Sequence, residues 1–236
     1  MKRRSLVGMA SAAAAAAAVV GGYALVVRPW YLRWGATDRE VSEPLLGDDV
    51  VPRPAFQSTR AVEINAGAGE VWPWLVQIGY GRGGFYSYDW LENVTVTLTG
   101  ARPHYRSVDV IIPELQHLKV GDFIPSAPPD LFGGRLARYA GWRVAALEPS
   151  RALVLQGWGA FVLEPTDRGT IRLIARSRGG GNLAARLVNL AWELPHFIME
   201  RKMLLGIKRR AEALASDRKA KTEVFENVLV DAMKHA

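Results

Sequence analysis

Residues 139–178 read YAGWRVAALEPSRALVLQGWGAFVLEPTDRGTIRLIARSR. Four short β-rich runs stand out, YAGWRVAAL, RALVLQG, WGAFVLEP and GTIRLIARSR, and GDFIPS at 121–126 is a fifth. Turn signals separate them: Gly121-Asp122, Pro149-Ser150, Asp167-Arg168-Gly169 and the glycines at 179–181. Runs this short and closely spaced, with no helical segment between them, predict an antiparallel meander. A doubly wound parallel sheet needs a helix between successive strands, so it is not expected.

On the C-terminal side the period becomes helical. Leu183, Leu187, Leu190 and Leu194 form one stripe, and Phe197, Ile198, Leu204, Leu205 and Ile207 continue an apolar face to about Leu214. Pro195 interrupts the pattern and suits a first helical position, so the spacing predicts a short helix followed by a longer one. The segment TEVFENVLVDAMKHA carries a weaker stripe (Val224, Val228, Ala232) and makes a tail at 216–236 with helical character. On the N-terminal side STRAVEIN (58–65) alternates as a strand. In AGEVWPWLVQI, Val71, Trp74, Leu75 and Ile78 fall on one helical face, with Pro73 in the first turn or just after it. The order is strand, one or two helices, several antiparallel strands, then a long helix. A curved sheet around one long helix buries both apolar faces and leaves space between them.

The ends differ from this body. The chain has 236 residues, no cysteine and a net charge of +7. Residues 1–34 contribute +5, residues 201–236 contribute +4, and residues 35–200 contribute −2. A nucleic-acid surface needs basic residues clustered on the folded body, so nucleic acid is not an expected partner. The absence of cysteine removes disulfides, thiolate metal sites and a cysteine nucleophile. From Leu6 to Val27 no residue is charged, a run long enough to span a membrane as an N-terminal transmembrane helix. Trp30, Tyr31 and Trp34 resemble an interfacial belt. A cleaved export signal and a buried alanine-rich helix are the alternatives. Lys2, Arg3 and Arg4 favour a cytoplasmic N-terminus and an extracytoplasmic body. Residues 35–57, with Pro44, Pro52 and Pro54, read as an extended linker laid along a domain at 58–215.

GRGGFYSYDWLEN (81–93) joins glycines, aromatics, an arginine and two carboxylates. Gly79 to Gly84 satisfy G-x-G-x-x-G, but they follow a helix and precede aromatic and polar residues. A dinucleotide fingerprint follows a strand and opens a helix, so no cofactor is expected. The stretch reads instead as a tight loop and a short helix SYDWLENV, N-capped by Ser87. That helix either closes one end of the core, with Asp89 and Arg82 paired, or contacts an apolar ligand.

The runs VWPWLVQIGYGRGGFYSYDWLEN, IIPELQHLKVGDFIP, LEPSRALVLQ, WGAFVLEP, GTIRLIARSR and HFIMERKMLLGIKRRAE resemble the SRPBCC superfamily. The likeness is to its bacterial polyketide cyclase/dehydrase and lipid-transport-like branch, from about Trp34 to Glu212. The resemblance implies an α+β helix-grip (START-like) fold: a curved antiparallel sheet wrapped around a long C-terminal helix and a hydrophobic cavity. The superfamily holds ligand carriers and a minority of enzymes, so it transfers fold better than function.

The sequence holds no G-x-S-x-G elbow and no glycine-rich loop ending in G-K-[ST]. His196 and Glu200 are four apart on the long helix and share a face. Zinc would require a third partner, which is not evident, so no metal is expected. The expected activity is membrane-tethered binding or carrying of a hydrophobic small molecule or lipid. The expected binding set is Arg82, Tyr86, Asp89, Trp90, Glu92, Trp142, Trp158 and His196, the two later tryptophans lying in strands. The alternative is a cyclase/dehydrase-type enzyme acting on a polyketide-like or other cyclic substrate, with Asp89, Glu92 or His196 moving protons. The basic run Arg201, Lys202, Lys208, Arg209 and Arg210 suits either a helix C-terminus or anionic headgroups.

Overall fold

The computed structural model describes residues 14–102, 104–135, 139–181 and 183–234. Expectations placed on Lys2, Arg3 and Arg4 lie outside them, as do those on the side chains of Leu183, Leu187, Val228 and Ala232. Strands β1 (Phe56–Ile64), β2 (Phe123–Pro125), β3 (Gly141–Glu148), β4 (Ala152–Leu155), β5 (Gly159–Pro165) and β6 (Ile171–Gly179) form one sheet. Its order is β1-β6-β5-β4-β3-β2, antiparallel throughout. A bulge between Val144 and Ala146 bends β3. The helices are α1 (Ala14–Leu32), α2 (Asp38–Ser42), α3 (Ala68–Val76), α4 (Asp89–Thr97) and α5 (Leu183–Lys234). This is an α+β helix-grip architecture.

Period-two alternation sorts the strand residues onto two buried faces. On the inner face Val62, Ile64, Leu153, Leu155, Phe161, Leu163 and Leu173 pack with Leu204, Ile207 and Ala211 of α5. Val71, Trp74 and Leu75 of α3 complete that core, as their helical spacing requires. On the outer face Ala61, Ala152, Val154, Ala160, Val162 and Ile174 form a second cluster, covered by Ala36 and Leu45. Residues 35–51 are therefore a covering layer over the back of the sheet. Within it α2 opens on a capping box between Thr37 and Glu40. Outward arginines of β6 hold the layer down. Arg172 Nε donates to the Glu40 carboxylate at 2.8 Å, Arg176 Nη1 to Asp48 Oδ2 at 2.7 Å, and Arg178 Nη1 to the Asp48 carbonyl at 2.6 Å.

Helix α5 corrects the expected break at Pro195. It runs unbroken for 52 residues with Pro195 inside it, about 78 Å at 1.5 Å per residue. Proline already has a helical φ, and its cost is one lost hydrogen bond and ring crowding. Burial of Glu193 before it, and of Phe197 and Glu200 after it, anchors the turns on both sides. The run Arg201 to Arg210 consequently lies in the middle of a helix, not at a terminus. Lys208 and Arg210 there donate to the carbonyls of Glu63 and Val108.

The end of α1 is also corrected. Trp30 is exposed, but Tyr31 is fully buried and Trp34 packs on the inner core, so these two are docking residues and not a lipid-facing belt.

Candidate functional site

Between the inner sheet face, α4 and the first half of α5 lies a cavity of about 360 Å³. Its aromatic wall is Phe85, Trp142, Trp158 and Phe161, whose ring centroids step 6.1, 6.5 and 4.4 Å apart. Ile78, Leu155, Met199 and Met203 add apolar surface. The polar groups facing it are few: Ser87, Glu92, Ser177, Glu193, His196 and Glu200 among them. A mostly apolar chamber with a few convergent polar groups suits a hydrophobic small molecule.

The chain positions these groups through close backbone turns. Gly79 and Gly84 bridge each other across the loop after α3. Gly84 has φ +82° and lies so near Arg106 that a Cβ would stand 2.6 Å from its carbonyl oxygen. The G-x-G-x-x-G match is thus a turn that turns Phe85 toward the cavity. Helix α4 starts at Asp89, one residue later than expected, with Tyr88 preceding it. Ser87 is not its N-cap; its hydroxyl donates to the Met199 carbonyl at 2.8 Å and ties the loop to α5.

Of the eight residues expected to meet a ligand, Glu92, Trp142, Trp158 and His196 line the cavity. Trp142 is in β3, and Trp158 sits in the turn one residue before β5. The other four stand elsewhere, each for a local reason. Arg82 donates from Nε and Nη2 to the carbonyls of Ile78 and Val76, capping the end of α3. It does not pair with Asp89, whose two carboxylate oxygens accept from the Ser107 N–H and hydroxyl, both at 2.7 Å. Tyr86 is buried at φ +57°, with its hydroxyl donating to the Trp74 carbonyl and the Arg210 guanidinium 4.7 Å from its ring. Trp90 points outward.

Glu92 is the unusual wall residue. Its Oε2 is buried with no hydrogen-bond partner. Burial, and secondarily the Asp89 charge, pushes its carboxyl up to about 8, so the group is mostly protonated at neutral pH. Across the cavity stands a buried ionic cluster that the sequence reading missed in part. Arg60, on the inner face of β1, is fully buried. Its Nε donates to the Tyr31 carbonyl at 2.8 Å and its Nη1 to His196 Nδ1 at 3.3 Å. An arginine only donates, so His196 accepts at Nδ1 and carries its proton on Nε2. Burial lowers the His196 pKa, and Arg60 acts in the same direction against Glu200. Glu200 lies 3.0 Å from Arg60 Nη1 and 3.2 Å from His196 Nε2. These contacts balance charge, yet neither Glu200 oxygen has an aligned hydrogen bond. The third member of the His196–Glu200 group is a cation, which disfavours a metal there.

Glu193, a buried residue of the cavity wall, is held from outside the domain body. Arg28 of α1 donates to both of its oxygens, at 2.8 and 2.7 Å, and the Tyr31 hydroxyl donates at 2.9 Å. Arg60 had a readable signal, a charge at an inward position of an alternating strand. Ser177 had the same signal, the inward parity of Leu173 and Ala175; Trp192 and Glu193 had none, because their place on the wall depends on how α1, α5 and the sheet meet.

No family model matches this sequence, and no curated protein matches it. Among solved structures, protein MLL2253 from Mesorhizobium loti is 11% identical, covering 67% of this chain and 98% of that one at a TM-score of 0.35. The Polyketide_cyc-like protein Cgl2372 from Corynebacterium glutamicum is 14% identical, covering 71% of this chain and 93% of that one at a TM-score of 0.29. By its own strand order, its long closing helix and the chamber between them, the chain has a helix-grip fold.

Proposed function

We propose that the protein is a membrane-tethered carrier that holds a hydrophobic small molecule or lipid in the chamber between sheet and α5. The observation that carries this reading is the aromatic-walled cavity of about 360 Å³, large enough for a ring system or part of an acyl chain. The tether is α1, 19 residues long with mean hydropathy 1.3 over its best window and almost wholly exposed. Apolar side chains left in water over such a length favour a bilayer. The basic residues Lys2, Arg3 and Arg4 ahead of α1 favour a cytoplasmic start and an extracytoplasmic domain. Native mass spectrometry of the full chain released from detergent, paired with organic extraction, tests the reading. The expected result is one defined compound near one-to-one; an empty protein that also binds none of a panel of fatty acids, phospholipids and polycyclic compounds would refute it.

One observation favours a second reading, an enzyme of the cyclase/dehydrase type. Glu92 is a protonated carboxyl facing the cavity, the state a general acid requires. The variant Glu92→Gln keeps the shape and removes the proton. If the wild type releases one compound and Glu92→Gln accumulates a different precursor, the protein is an enzyme; the same compound from both supports a carrier.

A further inference from the structure

The end of α1 is bolted to the domain at a residue of the cavity wall. Arg28 and Tyr31 grip Glu193, and Trp30 meets Phe197 edge-on with ring centroids 5.5 Å apart. On the same turns of α5, Leu190, Trp192 (60% exposed), Leu194 and Ile198 leave their side chains in the open. Helix α4 and its C-cap carry a matching stripe in Trp90, Val94 and Leu98 (83% exposed), spaced i, i+4, i+8 on one face. The two helices are joined where Ser87 donates to the Met199 carbonyl and Lys202 Nζ sits 5.5 Å from the Tyr88 ring. Glu92 from α4, and Trp192 and His196 from α5, line the cavity. On α5, Leu190, Leu194 and Ile198 fall on one stripe at i, i+4, i+8, while Trp192 stands off it, two residues from Leu190 and from Leu194; exposed apolar stripes of this kind mark an interaction site.

Their level relative to the tether decides the partner. At 1.5 Å per residue, no residue from Leu190 to Ile198 lies more than about 8 Å along the α5 axis from Glu193, which touches the end of α1. The polar zone on each side of the hydrocarbon layer is itself roughly 5–8 Å deep. We infer that the exposed stripes of α4 and α5 form a lipid-docking face, so that the cavity mouth opens onto the surface of the membrane that α1 spans. This inference rests on the tether reading. Arg201 and Lys202, one turn beyond Ile198, and exposed Arg186 ahead of Leu190 supply cations for anionic headgroups. Ligand exchange then runs between bilayer and cavity without a passage through water.

The sequence contains no cysteine, so each introduced cysteine yields a single spin label. The full chain is reconstituted in phosphatidylcholine vesicles containing phosphatidylglycerol, labelled at Leu194→Cys or Leu98→Cys. Leu25→Cys in α1 is the lipid reference. Lys221→Cys, about 42 Å along α5 from Glu193, is the water reference. The expected result is a several-fold preference for oxygen over a nickel chelate at positions 194 and 98, as at 25 and unlike 221. Water-like values at 194 and 98 with a lipid-like value at 25 would overturn the docking face and leave the tether intact. A water-like value at 25 would overturn the tether itself. Labels shielded from both reagents, with a doubled mass, would overturn the inference in favour of a second copy covering the face.

Discussion

The carboxyl of Glu92 sets the chemistry of the cavity because its burial opposes its charge. In the unfolded chain an ordinary glutamate ionises near pH 4.5, while the folded group holds its proton up to about pH 8. Between those values the native state binds one proton more than the unfolded state, so stability falls as pH rises through the window. Replacing Glu92 with Gln removes the penalty. The variant is expected to match the wild type at pH 4 and to exceed it by about 1–3 kcal/mol at pH 8.5, a range discounted for partial exposure. Thermal unfolding followed at both pH values checks this; equal stability at pH 8.5 would mean that Glu92 finds a solvent path. The role of this residue was only half visible in GRGGFYSYDWLEN. The stretch marks an acidic, aromatic helix, but Asp89 and Glu92 differ in role because Ser107, far along the chain, occupies Asp89 and leaves Glu92 without a partner.

Among the elements, α5 and the loop after α3 depend on each other. Gly206 on α5 lies against the backbone of Tyr86, and a Cβ there would overlap the Tyr86 carbonyl oxygen. Tyr86 is itself in the left-handed region, which costs about 1–3 kcal/mol in a non-glycine residue. In an ordinary helix Gly→Ala gains about 1 kcal/mol. Here overpacking against fixed backbone outweighs that gain, so Gly206→Ala is expected to lose about 1–3 kcal/mol net, measured by denaturant unfolding. A stabilised variant would show that the loop does not seat on α5. The strands were readable because period-two alternation and turn residues are local properties. The uninterrupted α5 was not, since Pro195 is a local break signal overruled by tertiary anchoring on both sides. The covering layer at 35–51 likewise read as a linker, because the outward arginines of β6 that pin it are distant in sequence.

As a whole molecule, the chain combines a helix-grip chamber with an apolar helix docked at the chamber wall through Arg28, Tyr31 and Glu193. Hydropathy exposed the helix and element order exposed the chamber, but their junction is a contact between residues 165 apart and leaves no local trace. In the proposed carrier the ligand resides in the chamber. The direct measurement is the amount of co-purifying compound in the wild type against Ser177→Leu, a variant that fills the cavity from β6 at a hydroxyl with no hydrogen-bond partner. With both proteins equally folded by circular dichroism, a near one-to-one compound is expected in the wild type and its loss from Ser177→Leu. An unchanged amount in the variant would place the compound outside the chamber and refute a carrier that uses it.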